Sequence, residues 1–212
     1  MRPARLLAVA ILVFTAALVA QCARPAEPPA STAPVSALAE ALTPVASVHE
    51  MMRDIIDPDS DLIFDAVGTD VTDKGVVQRE PTTDEDWARV RQGAMTIAEA
   101  ANLLKVPRKA APDGYTFDPA LRGPNAPELA PDAIAAKIEA NRGVWNGMAD
   151  GLRREAIKIL QIVDAKDTAK LFQAGSELDA VCETCHLEFF YPGDRKAVID
   201  ERNKRATVPA PK

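Results

Sequence analysis

Residues 182–186 read CETCH and bring two thiols and an imidazole together, in a chain of 212 residues with only three cysteines and two histidines. Cys182, Cys185 and His186 stand at i, i+3 and i+4, offsets that share one face of a helix. Three chemistries use such a face. Zinc would take the sulfurs and the imidazole as ligands. A redox dithiol would cycle the two sulfurs through a disulfide. A haem would receive one sulfur across each of its two vinyl groups and the imidazole on its iron.

Structural zinc wants four ligands, and typical sites bring a second Cys/His pair. Here only His49 and Cys22 remain. Redox C-x-x-C motifs belong beside a strand in an α/β pattern, which this sequence lacks. C-x-x-C-H is the spacing of covalent haem attachment. On that reading Cys182 and Cys185 hold haem c, and His186 is the proximal iron ligand.

The amino end agrees, because haem of this kind is attached outside the cytoplasm. Residues 1–21 read as a signal peptide. Arg2 and Arg5 give a positive start, and residues 6–20 form an uncharged, mostly apolar run. That run is shorter than the roughly 20 residues a spanning helix needs. It ends in LVAQC, which suits a lipoprotein signal with Cys22 as the lipidated residue, although Gln21 stands where a small residue is usual. Ordinary cleavage nearby, leaving Cys22 free or removed, is the alternative. Residues 22–36 are rich in Pro and Ala and read as an extended tether. The expected location is the periplasm, with Cys22 as a membrane anchor if lipidated. Loss of the leader takes the formal charge from −6 to −8 by removing Arg2 and Arg5, and nothing favours nucleic acid.

The elements that must position the motif read as helices. The chain is 47% hydrophobic but only 5% aromatic, enough apolar material for one domain with tails. Abundant alanine and scarce β-branched runs favour helix. A first helix spans 36–67, with Leu42, Val45, Val48, Met52, Ile55 and Ile56 as its apolar face and a break at DPDSD, where Pro58 cannot continue the ladder. A second opens at PTTDEDW, capped by Thr82 or Thr83, and ends before Pro107. A third spans 132–164 with Asp132 as cap, and a fourth spans 167–190. The segment GTDVTDKGVVQRE holds at most a short extended excursion, and 107–131 is a long proline-rich connection. These elements predict an all-α, antiparallel four-helix bundle over 37–193, with haem on its last helix. Residues 194–212 form a basic tail. Gly143, Gly147 and Gly151 make a stripe that is either a close-approach face for a helix or homodimer partner, or a set of tolerated glycines. No nucleophile–base pair or phosphate loop is visible, so no enzyme is expected.

CETCH in a fourth helix near the carboxyl end, FFYP after it and SVHEMM in the first helix together resemble the class II c-type cytochromes, the cytochrome c-prime family. PTTDEDW and DAKD are similar to segments of longer bacterial members. The resemblance spans about 45–192. It implies covalent haem on Cys182 and Cys185, iron ligation by His186, and a first-helix residue facing the other side of the iron. In low-spin members that residue is methionine, and Met52 falls at the matching place. Helical phase also favours Met52, which continues the Val45–Val48–Ile55–Ile56 face, while Met51 is offset by about 100° and reads as a core filler. His49, Met51 and no protein ligand stay open. The expected function is an exported monohaem electron carrier serving redox partner proteins. The alternative is a five-coordinate haem protein that binds or senses a diatomic gas.

Overall fold

The structure is a computed structural model, and residues 42–118, 120 and 127–195 are described. The signal peptide, Cys22, the tether and the tail beyond Arg195 lie outside the described residues. The fold is mostly helical with one small two-stranded sheet.

Three consecutive pieces make the first rod: α1 (Val48–Met51), a π-helical turn (Met52–Ile56) and α2 (Asp57–Phe64). Ser47 starts it with a capping box. Its hydroxyl accepts from Glu50 N at 3.2 Å, and the Glu50 carboxylate accepts from Ser47 N at 2.8 Å. Leu42 and Val45, expected on the apolar face, precede the helix and are exposed. The expected break at Pro58 is not there, since backbone angles stay helical from Met51 through Asp57. The helix passes Pro58 by widening one turn upstream rather than by stopping.

The extended excursion is a hairpin of β1 (Gly68–Thr72) and β2 (Gly75–Arg79), paired antiparallel with Val71 opposite Val76. Gly75 sits at φ +121° after the Asp73–Lys74 turn, a conformation that suits glycine. The described residues are thus mostly helical, as the all-α expectation has it, with one two-stranded sheet at the segment where a short extended excursion is expected. Val, Thr and Gly at close spacing supply strand and turn propensity that the bulk composition hides.

α3 (Asp84–Leu104) opens on Thr83, whose hydroxyl accepts from Asp86 N while the Asp86 carboxylate accepts from Thr83 N. The expected third helix is two: α4 (Pro131–Ala140) and α5 (Arg142–Asp164), divided at Asn141. Asn141 leaves the helical region, and its side-chain amide donates to Lys137 O at 2.9 Å, competing with the backbone ladder. Ala130, not Asp132, occupies the cap position. Pro131 fills the first turn, where a missing N–H costs nothing. α6 (Thr168–Phe189) is capped by Asp167, which accepts from Lys170 N, and a short 3-10 turn at Pro192–Asp194 follows.

The core lies between α3, α5, α6 and the first rod. Trp145 of α5 is 1% exposed, donates its indole N–H to Leu104 O at 2.8 Å and meets Phe189 edge-on at 5.1 Å. At Gly93 of α3 the backbones come close: an added Cβ would stand 2.5 Å from the Asp59 carbonyl oxygen of α2. The glycine stripe makes no such approach. Nothing lies within 4 Å of a Cβ placed at Gly143 or Gly147, and Gly151 meets only ordinary contacts.

Candidate functional site

α6 runs unbroken through the motif, so Cys182, Cys185 and His186 do share one face. That face forms a wall of a cavity of about 410 Å³, within the roughly 300–1,000 Å³ of small-molecule and cofactor sites. The first rod supplies another wall with His49, Met52, Arg53 and Ile56, and α5 supplies Trp145, Met148 and Leu152. Met52 is partly buried and lines the cavity. Met51 is 2% exposed, sits in the core and does not reach the cavity. The structure thus brings Cys182, Cys185, His186, Met52 and His49 around one space and leaves Met51 out of it.

The electrostatics of the wall suit uncharged groups. Burial pushes the Cys182 thiol up to about 11 and the Cys185 thiol up to about 12, with nearby acidic groups adding to the effect. No disulfide joins them. Reactive dithiols and thiolate metal ligands need the opposite shift, which lowers the pKa and frees the thiolate. Burial also lowers the pKa of His186, against the smaller opposing pull of Asp179 and Asp57. The imidazole is therefore neutral near pH 7 and keeps a lone pair for a metal. Its neighbours are rings, Phe190 at 5.4 Å and Tyr191 at 6.0 Å. Among the described residues no three His, Cys, Asp or Glu side chains are grouped to hold a metal ion directly. These donors fit a group that brings its own ring of ligands: two neutral sulfurs for covalent attachment, one imidazole, and one thioether or imidazole across the cavity.

The long connection after α3 braces the elements that carry the site. Val48 N donates to Lys109 O and His49 N to Ala110 O, both at 2.9 Å, which satisfies free donors at the start of α1. Arg108 fastens the same turn through Ala46 O and Leu103 O. At the other end Leu129 N donates to Phe190 O at 2.8 Å, just beyond the motif. Tyr115 packs on His49 with ring centroids 4.7 Å apart. His49 Nδ1 is buried with no hydrogen-bond partner. Sequence reading left this connection without a role, because its contacts are backbone hydrogen bonds that side-chain types do not signal. It also missed Asp179 and Asp57 at the cavity. Asp179 stands three residues before Cys182, so helical spacing could have found it. Asp57 arrives from another element and had no signal.

No family model matches the chain, and no curated protein or solved structure matches it either. Among the described residues no helix is long and apolar enough to cross a membrane.

Proposed function

We propose that the protein is a monohaem c-type cytochrome that carries electrons, built as a four-helix bundle with haem c attached to α6. The observation that carries this reading is the shared cavity: Cys182, Cys185 and His186 on one wall, Met52 and His49 on another, with apolar side chains between. The haem supplies an iron that changes oxidation state by one electron. Cys182 and Cys185 would each hold the haem through one thioether, and their uncharged, half-buried state would keep them from competing side reactions until attachment. His186 offers a neutral imidazole to the iron. Met52 would offer a thioether as a second protein ligand, a pairing that raises the reduction potential relative to two imidazoles. Trp145, Leu152 and Ile56 keep water from the ring and lower the local polarity, which works on potential in the same direction. The chain's own role would be to hold His186 and Met52 on packed helices so that little rearranges as the charge changes.

The leader and LVAQC support export to the periplasm, with Cys22 as a lipid anchor, and the partners are redox proteins. Expression of the full chain in a host that matures c-type cytochromes tests the reading. The expected product keeps its haem through acid–acetone extraction, gains the mass of one haem and is low-spin when oxidised. Absence of covalent haem refutes it. A high-spin oxidised form that binds carbon monoxide readily when reduced moves the function to the gas-binding alternative.

A further inference from the structure

We propose that the π-helical turn at Met52–Ile56, imposed by Pro58, is a positioning device that turns Met52 to the cavity and its neighbour Met51 into the core. Its meaning for iron ligation rests on the haem reading above; its geometry does not. Met51 and Ile56 are both buried, at 2% and 4% exposure, although they are five residues apart. At about 100° per residue, a regular α-helix would set them about 140° apart, with Met51 turned to solvent and Met52, four residues before Ile56, under the core. One extra residue in the turn puts positions five apart on the same face. The bond that marks it runs from Asp57 N to Met52 O. The rotation carries Met51 into the core beside Val48, and it sets Met52 and His49 on the cavity wall, in line with Arg53 and Asp57, while Ile56 belongs to the core and also borders the cavity.

Pro58 gives the reason for the wide turn. In a regular helix its ring would collide with the carbonyl of Asp54, and it has no N–H to close that turn. Widening the preceding turn relieves the collision while the helix continues. The downstream piece cannot absorb the rotation, because α2 is seated against α3 with the Asp59 carbonyl over Gly93. The upstream piece takes it instead, and the Lys109 and Ala110 carbonyls hold α1 in the new phase. Pro58 and Gly93 are positioning residues on this account, since neither offers a ligand atom.

Methionine oxidation by dilute hydrogen peroxide, read by peptide mass spectrometry on the full chain without haem, tests the phase directly. In the wild type Met52 should oxidise severalfold faster than Met51. In Pro58→Ala the turn should regularise and the order should reverse. Deleting Asp54, an exposed residue of the π-turn, in the Pro58→Ala background removes the extra residue itself, so the wild-type order should return. Should Pro58→Ala alone fail to fold, the deletion variant decides: wild-type order supports the device, and any other order overturns it. Equal rates in the wild type, or an unchanged order in folded Pro58→Ala, also overturn it. In the haem-loaded protein the same series should lose and regain the weak near-infrared band of methionine–haem coordination. If the chain carries no haem, the oxidation series still judges the inference. If oxidation follows the expected order while the band is absent from the wild type, Met52 as ligand fails and the phase device stands.

Discussion

α6 and the first rod present ligand-type side chains to the same cavity by different means. α6 is a regular helix of 22 residues, so the i, i+3, i+4 spacing of Cys182, Cys185 and His186 translates directly into a shared face. The first rod changes period inside Met52–Ile56, so spacing there does not translate. Met51 and Met52 are neighbours of the same type, yet one is core and the other lines the cavity. A motif on a regular helix carries its own geometry. A motif beside a π-turn takes its geometry from whatever fixes the turn.

The two regions should therefore fail differently. The largest effect is expected on α6. On the haem reading, Cys182→Ala with Cys185→Ala abolishes covalent attachment, and either change alone leaves a single thioether. Mass spectrometry of denatured protein checks this, and haem still bound covalently to the double variant would sink the assignment. In the first rod the two methionines should split stability from spectrum. Met51→Ala removes a fully buried side chain and should cost about 2–5 kcal/mol while the protein stays low-spin. Met52→Ala should cost about 1 kcal/mol and, on the haem reading, turn the iron high-spin. Chemical denaturation and absorption spectra of both variants separate the two roles; a low-spin spectrum that survives Met52→Ala and is lost in His49→Ala moves the ligand to His49.

Smaller effects sharpen the contrast between seated and unseated helix faces. Gly93→Ala drives a Cβ to 2.5 Å from the Asp59 carbonyl oxygen, and the backbone must move at a cost of about 1–3 kcal/mol. Gly147→Ala enters open space and should stabilise the helix by about 0.5–1 kcal/mol. Thermal melts that shift in the same direction for both would undo the distinction between the Gly93 crossing and the glycine stripe.

The last effects are protonic, and those at the cavity come from the α6 motif. In the haem-free chain, thiols raised to about 11 and about 12 from 9.0 should alkylate at pH 8 at least about tenfold more slowly than a free cysteine. The folded state holds those protons longer than the unfolded one, so stability is complete below pH 9.0 and falls as pH rises through the folded values. His186 has the opposite sign. Its folded pKa is lowered, so the unfolded chain binds the proton first, and stability falls as pH drops below about 6.5. Denaturant midpoints of the wild type and His186→Gln against pH check both limbs. An acid limb that is the same in the two proteins would remove His186 as its source.

Legible in the sequence were a cap at Thr82 or Thr83, which the structure assigns to Thr83, the helix that carries CETCH, and the common face of its three side chains. Each of these depends on residues within one or two turns of each other, and local spacing suffices. The break at Asn141 and the hairpin at Gly68–Arg79 were less legible, because one polar side chain and a few valines compete weakly against a strong helical background. Only the tertiary structure decided the phase of the first rod. A regular period drawn through Val45, Val48, Met52 and Ile56 favoured Met52 for the cavity but put it on the core face, and it placed Met51, read as a core filler, about 100° away from that face. The phase was settled by Pro58, by the Asp59 backbone seated on Gly93 some thirty residues away, and by loop carbonyls at Lys109 and Ala110. A proline in a helix can end it, kink it or widen it. Which of the three occurs depends on whether distant backbone holds the helix on both sides, and no local run of residues contains that information.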